Sequence, residues 1–307
     1  MKYDQWLKNP IRFLAMTGYT LEQFRTLLPF FEQAHQAHFK VFHLDGKRRS
    51  GLRKFVLYAN SALPTIEERL AFILSFLKLN PLQEHHADLF GITQKQCSQF
   101  VHSLHKILQT ALTNAEQMPC QDSEALQKVL AQNSESVLFH DCTEREIPRP
   151  QDQEKQTDMY SGKKKKHTVK NAIICTALCV VLYVSPTVSG KTHDKKLADI
   201  CYQIPSGYEL WQDTGYQGYA PAGVKIHQPM KKPRGKSLTE EQKENNRAIS
   251  KTRVRVEHCI GSIKRYRIVK DECRLRKNNF VNHIFPTCAA LHNFRLQLKS
   301  FQYPKIN

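Results

Sequence analysis

Two periods of apolar residues divide the chain. Over roughly the first third the period is helical. Thr20 and Gln23 form a capping-box pair, after which Leu21, Phe24, Leu28 and Phe31 recur on one face. Thr65 with Glu68 opens a second helix in which Ile66, Leu70, Ile73 and Leu77 share a side, and Pro81 ends it. Leu82 to Phe90 forms a short helix and Gly91-Ile92-Thr93 a tight turn. Thr93 with Gln96 then caps a third helix, which carries Cys97, Val101, Leu104 and Leu108 inward. Between the first two helices, Phe39 to Lys54 is basic and Gly-containing, with no clear period. It reads as a loop or arm that either tracks phosphate or is a solvated connector.

Helix, glycine turn and capped helix together are the signature of a helix-turn-helix, spanning about residues 82–109. In that arrangement Gln94, Lys95, Ser98 and Gln99, with His102 further along, face outward to base edges. Gln can read adenine bidentately and Lys can read guanine. An ordinary helical hairpin with a polar face would give the same pattern.

Beyond Leu112 the sequence turns polar and contains Pro119, with one modest helix near Ser123 to Ala131. The period then changes to that of strands. Ser136 to Ile147, Lys164 to Thr176, Val180 to Ser189 and Tyr208 to Gln212 are apolar or β-branched runs, with a short helix at Asp194 to Ile200. After Val224 to Met230 comes a basic loop, then a long helix from about Thr239 to Tyr266 with Ile249, Val256, Ile260 and Ile263 along one side. The expected organisation is a helical domain at 1–112, a linker at 113–135, a mixed α/β domain at 136–299 and a tail at 300–307. No glycine fingerprint follows any strand, which argues against a dinucleotide-binding unit.

Charge narrows the partner. The 307 residues hold 46 Lys and Arg against 28 Asp and Glu, a net charge of +18, and such an excess attracts polyanions. Double-stranded DNA leads. A membrane is disfavoured because the longest apolar stretch, Ala172 to Val184, is shorter than the roughly 20 residues a spanning helix needs. The first residues lack the charged-then-apolar order of a signal peptide, which points to the cytoplasm. Nine scattered cysteines suit reduced thiols, and the close pair Cys175 and Cys179 reads as buried packing rather than zinc ligation.

Asp141 changes the picture, because it lies inside the apolar run Val137 to Ile147, and a buried carboxylate is costly unless paired, protonated or bound to metal. Asp213 ends the fourth strand and Glu257 sits on the long helix beside its apolar stripe. Two strands and a helix are rigid elements able to converge on one metal site. In a basic protein, three acids bring about −3 of charge towards a phosphate, and two magnesium ions bring about +4 and reverse the sign. Taken singly, Asp213 could merely start a turn and Glu257 could pair with Arg253 one turn back. Asp194, heading a short helix, reads as an N-cap, and Glu144, past the apolar run, as solvated. Natural phosphate contacts are the tract Lys163, Lys164, Lys165 and Lys166, the loop with Lys231, Lys232 and Arg234, and Arg253, Arg255, Lys264 and Arg265.

Four blocks stand in order: His140-Asp141-Cys142-Thr143-Glu144, Tyr160-Ser161-Gly162 with the following lysines to Thr168, Asp213-Thr214-Gly215-Tyr216-Gln217-Gly218, and Arg255-Val256-Glu257-His258-Cys259-Ile260-Gly261. They resemble DDE transposases of the insertion-sequence-five type, over about Val137 to Leu298. The resemblance implies an RNase H-like catalytic domain behind a helix-turn-helix domain, with Asp141, Asp213 and Glu257 as a metal-binding triad. It also implies magnesium-dependent DNA cleavage and strand transfer, with manganese able to substitute, at the terminal inverted repeats of an element. Joining two ends implies a dimer or higher assembly on DNA. One departure is Thr176-Ala177-Leu178-Cys179, where a hairpin turn holds no good turn former. The competing readings are an RNase H-like nuclease that cuts without joining and a DNA-binding regulator that has lost the chemistry.

Overall fold

The computed structural model describes residues 2–50, 55–132, 135–233, 235, 237–275 and 277–298. These fall into two compact units. The first is Met1–Met118 with Lys264–Asp271 and Ala290–Leu298, and the second is Pro119–Ile263 with Glu272–Ala289.

The first unit is helical: α1 Lys2–Leu7, α2 Pro10–Thr17, α3 Leu21–Val41, α4 Ile66–Leu79, α5 Gln83–Phe90 and α6 Gln94–Asn114. Capping boxes at Thr20, Thr65 and Thr93 start α3, α4 and α6, each with both reciprocal hydrogen bonds formed. Helix α4 is the centre, because every residue from Glu68 to Leu77 is buried and α2, α3 and α6 pack round it. Gly91 closes α5 in a left-handed conformation (φ +68°), and Gly91 to Thr93 is the short turn into α6.

The expected arm is shorter than its sequence suggested. Helix α3 continues through Phe39 to Val41, because Phe39 is a core residue, and a tight turn then pairs Phe42 with Arg48. Gly51, Leu52, Arg53 and Lys54 lie outside the described residues.

The second unit is built on β1 Val137–Glu146. Helix α7 Ser123–Gln132 precedes it, and α8 Gln153–Met159, β2 Tyr160–Ser161, β3 Lys166–Thr176, β4 Val181–Val184, β5 Val188–Ser189 and α9 Asp194–Cys201 follow. The chain goes on through β6 Glu209–Trp211, β7 Lys225–His227 and α10 Glu240–Ile263. Of the two last helices, α11 Arg267–Lys270 belongs to the first unit, and α12 Phe280–Gln297 starts in the second and ends in the first.

The strand order is β2-β3-β1-β6-β7, with β4 and β5 also on β3. Strand β1 runs antiparallel to β3 and parallel to β6, and β6 runs parallel to β7. This mixed sheet flanked by helices is RNase H-like. The third run is broken into β4 and β5 because Pro186 has no N–H to give the ladder. Below the sheet, Leu126, Leu130, Leu138, Ala172, Ile174, Leu197, Leu210 and Tyr216 form one apolar cluster.

The poor turn between β3 and β4 closes by other means. Cys179 takes a left-handed φ of +64°, and the Thr176 hydroxyl oxygen accepts the N–H groups of Leu178 and Val180. Cys179 is itself held from α10, where the Cys259 thiol donates to its carbonyl. Among the described residues no helix is long and apolar enough to cross a membrane.

Candidate active site

The parallel register of β1 and β6 pairs Leu138 with Leu210 and Phe139 with Trp211. Just past the last pair, His140 and Gln212 still meet through their side chains at 3.0 Å, and Asp213, which lies beyond the end of β6 rather than in it, stands near enough for its charge to act on Asp141. Side chains alternate along β1, so His140 and Asp141 point to opposite faces of the sheet.

The face below the acids is a closed polar relay. Gln212 Nε2 donates to the Tyr219 carbonyl at 3.1 Å, so its Oε1 is the acceptor for His140 Nε2 at 3.0 Å. The proton of His140 therefore sits on Nε2, and Nδ1 accepts from the Tyr202 hydroxyl at 2.8 Å. Burial holds this imidazole neutral, with its pKa lowered to about 3. The ring stacks on Tyr216 at 3.8 Å, whose hydroxyl meets the Cys142 thiol at 3.1 Å. Cys142 thus ties β1 to the turn that follows Asp213.

On the upper face, Asp141 Oδ1 accepts the Cys142 N–H at 2.8 Å, and Arg253 of α10 lies 3.8 Å from Oδ2. Burial raises the Asp141 pKa to about 6. The Cys142 N–H and Arg253 oppose that shift, and the charges of Asp213 and Asp194 add to it. Asp213 caps the turn Thr214–Tyr216 through Oδ1, which accepts the Thr214 N–H, and its carbonyl accepts from Gln228 at 2.6 Å. Arg253 is buried, and its Nε has no hydrogen-bond partner among the described residues.

Glu257 is exposed on α10, one turn after Arg253. Among the described residues no three acidic, histidine or cysteine side chains stand close enough to hold a metal ion. The register therefore brings Asp141 and Asp213 together and leaves Glu257 on the exposed flank of α10. The donor set still fits a divalent cation. Asp141 Oδ2 is a desolvated hard oxygen whose nearby cationic group stands beyond hydrogen-bond length.

Two acids take other roles than their sequence suggested. Asp194 is not the N-cap of α9, a position His193 holds without a side-chain bond. Its Oδ1 accepts from buried Lys170 at 2.8 Å, and a Cβ at Gly215 would come within 2.8 Å of its Oδ2. Glu144 is not solvated. It lies inside β1, accepts from the Thr168 hydroxyl at 3.0 Å and faces Lys170 at 3.9 Å. Lys170, also bonded to the Thr192 carbonyl, thus anchors β1 and α9 beneath the Asp213 turn.

The basic residues divide by exposure. Lys163, Lys164, Lys165 and Lys166 are exposed, and Lys166 is paired with Glu146 at 2.8 Å. Lys231 and Lys232 are exposed, while Arg234 lies outside the described residues. Arg253, expected as a phosphate contact, is buried against Asp141 instead, because its position shares the apolar side of α10 with Ile249 and Val256. It is therefore not the i,i+4 partner of Glu257. Arg255 donates to the Ala177 carbonyl at 2.8 Å. Lys264 and Arg265 belong to the first unit. On α6, Gln94 and Lys95 are exposed and Ser98, Gln99 and His102 half-buried, with Gln94 donating to Gln83 at 2.8 Å.

Gln212, Tyr202 and Lys170 support the site without any signal in the sequence, while His140 and Tyr216 stand inside the blocks that carry the resemblance but were given no role there. Their signals were membership of those blocks and, for His140, a polar residue inside an apolar run.

Residues 140–293, about half the chain, match the family described as DDE superfamily endonuclease. A protein of Microchaete diplosiphon named as a transposase for insertion sequence element IS702 is 26% identical over 239 residues, which cover 76% of this chain and 82% of that one. One of Streptomyces albus G, named as a transposase for insertion sequence element IS112, is 22% identical over 245 residues, covering 75% and 80%. No solved structure matches significantly. With the paired acids on an RNase H-like sheet and that match, the chain belongs to the DDE superfamily endonucleases and is a DDE transposase.

Proposed function

We propose that this transposase binds the terminal inverted repeats of its element and carries out divalent-metal-dependent strand cleavage and strand transfer, with Asp141, Asp213 and Glu257 as metal ligands. The observation that carries the reading is the β1–β6 register, which supports a shared carboxylate face beneath α10. When bound, magnesium or manganese ions would neutralise the acids and activate both the attacking and the leaving oxygen of a phosphodiester.

The chain's own residues do the rest. Hydrolysis of one strand leaves a 3′-hydroxyl, and that hydroxyl then displaces the 3′-oxygen at a target phosphodiester, so one bond forms for each that breaks. Asp141, on β1, and Asp213, at the head of the turn after β6, hold the reacting phosphate's counter-charge. The lysines at 163–166 and at 231 and 232 neutralise neighbouring phosphates. The helical domain at 1–112 reads the element's ends through α6, by Gln94, Lys95, Ser98, Gln99 and His102. Two ends are held together by a dimer or larger assembly.

Duplex DNA carrying the element's ends, incubated with Mg²⁺ or Mn²⁺, tests this. Wild type is expected to nick and join. Asp141→Asn, Asp213→Asn and Glu257→Gln are each expected to lower cleavage by about 10³-fold or more while DNA binding persists. Binding without cleavage by wild type would sink the enzyme reading in favour of a regulator. Failure to join a pre-cut 3′-hydroxyl end would leave a nuclease.

A further inference from the structure

The helical unit holds a charge for which the catalytic reading has no use. Arg69, on the central helix α4, is only 4% exposed and forms no salt bridge among the described residues, although the charge of the adjacent Glu68 partly offsets the cost of its burial. Its neighbour Glu68 is turned away into the Thr65 capping box. The guanidinium donates from Nε to the Leu63 carbonyl at 2.9 Å and from Nη1 to His35 at 2.7 Å. His35 accepts because burial and the adjacent Arg69 keep its ring neutral. Three rings, Phe39, Phe55 and Phe100, stand 5.4 to 5.9 Å from the guanidinium carbon. These contacts offset part of the cost of burying a cation but supply no counter-charge.

Arg69 lines a cavity of about 340 Å³, and Arg49 lines the same cavity. The Arg49 guanidinium lies 5.5 Å from the Phe55 ring, so two like charges flank one ring. Arg49 is part-exposed and Arg69 buried, so the cavity offers two guanidinium groups to one anion entering from solvent. Its described lining includes no Asp or Glu. Gln96 and Ser61 add uncharged donors, and the Gln96 amide NH₂ remains free for this because its Oε1 serves the Thr93 cap. The volume lies within the range of small-ligand pockets, well above what a single water needs.

We infer that this cavity is an anion site that takes a phosphate group on Arg49 and Arg69, supplied by the backbone of bound DNA. The site lies at the first turn of α6, where Gln96 is the third helical residue. A phosphodiester lodged there would fix the height of that helix on the duplex without reading sequence, as backbone contacts do. The inference stands apart from the carboxylate chemistry, which involves no residue of this unit.

Thermal unfolding of the full chain is measured against inorganic phosphate, with chloride at matched ionic strength as the control. The variants are Arg49→Gln, which removes the less buried charge, and Ala62→Phe, which fills the cavity and leaves both arginines in place. Wild type is expected to gain stability with the logarithm of phosphate concentration, and both variants to lose that gain. Duplex-DNA binding is then followed against salt. The slope of log K against log salt is expected to fall by about one in Arg49→Gln. Loss of phosphate protection with an unchanged slope would keep the site and assign its phosphate to a small molecule. Equal protection of wild type and both variants would overturn the inference.

Discussion

In the helical unit the buried guanidinium of Arg69 is held by three phenylalanine rings, a carbonyl and a neutral histidine. In the sheet unit the buried ammonium of Lys170 is held by a carbonyl and two carboxylates, Asp194 and Glu144. Both cations are largely withdrawn from water, but only the second is paired directly with carboxylates, Arg69 having the charge of Glu68 nearby without an ion pair. Beside it the sheet unit keeps a further acid, Asp141, whose raised pKa records an incompletely compensated negative charge. One unit therefore holds a buried cation without an ion pair beside a cavity, and the other holds a buried acid on β1 that Arg253 meets only at 3.8 Å. On the two proposals above, an anion would complete the first and a divalent cation the second.

The largest effect should come from removing the neutralised cation. Lys170→Met leaves two carboxylates facing each other in a site where Lys170 is 9% and Glu144 12% exposed, and breaking a buried pair this way costs about 3 to 5 kcal/mol. Arg69→Met strands no acid. It should cost less, about 1 to 3 kcal/mol, for the carbonyl and imidazole left unpaired. The two tryptophans allow the units to be followed separately, because Trp6 lies in the first and Trp211 in the second. Urea unfolding of Trp211→Phe and Trp6→Phe backgrounds by fluorescence measures both costs. Equal costs would break the comparison.

Acid should separate the units next. Burial lowers the pKa of His35 to about 3 and of His86 to about 4, both in the helical unit. Below pH 6.5 the unfolded chain binds protons that these native rings refuse. Stability is therefore intact above pH 6.5 and falls as pH drops towards 4, by up to about 1.4 kcal/mol per pH unit for each histidine. The sheet unit has one such ring, His140, but Asp141 works in the opposite sense. With its folded pKa near 6, the native state takes up a proton between pH 6 and 4 that the unfolded state does not. In metal-free protein the two slopes nearly cancel. Urea midpoints from pH 7 to 4.5 should fall steeply for the Trp6 signal and little for Trp211.

A smaller contrast lies in what each buried histidine connects. His140→Phe leaves the Tyr202 hydroxyl and the Gln212 amide oxygen without partners in a dry interior, at about 1 to 3 kcal/mol. It should also lower cleavage, because that pair fixes the register on which Asp141 and Asp213 meet. His86→Phe gives up one contact, to the Phe72 carbonyl of a helix, and should cost about 1 kcal/mol or less. Thermal melts beside a cleavage assay distinguish the two, since only the His140 variant should lose activity beyond its loss of stability.

Periodicity and caps made the helices legible, because a capping box and an apolar stripe are both local. The same locality hid what holds the acids. Asp141 was visible as a carboxylate in an apolar run, but Gln212 and Tyr202 become its supports only once β6 and α9 lie beside β1. Glu144 was misread for that reason: its burial depends on Thr168 and Lys170 across the β1–β3 ladder. Asp194 looked like a cap because it heads a helix, yet Lys170 claims its carboxylate. Arg253 looked like a surface cation because charge alone does not say which side of α10 it occupies. The hairpin at Cys179 forms without a turn former because Thr176 and Cys259, one local and one distant, supply its hydrogen bonds.

The smallest expected effect tests whether the turn before α6 is only a fold element. Thr93→Ala removes the hydroxyl that accepts the Gln96 N–H and should cost the helical unit about 1 kcal/mol, while Thr93→Ser should restore most of it. Thr65→Ala removes the equivalent cap from α4 and should cost a similar amount. If the caps serve stability alone, the two alanine variants will bind DNA alike at a temperature where both stay folded. If α6 must be held at a set height for Arg49, Arg69 and Gln96 to share one phosphate, Thr93→Ala will weaken DNA binding and Thr65→Ala will not. Thr93→Ala removes the hydroxyl's bond to Gln96 Oε1 at 3.2 Å and leaves only the residue-93 N–H to orient that amide. Equal DNA affinities for the two variants would confine Thr93 to stability and remove the cap from the anion site.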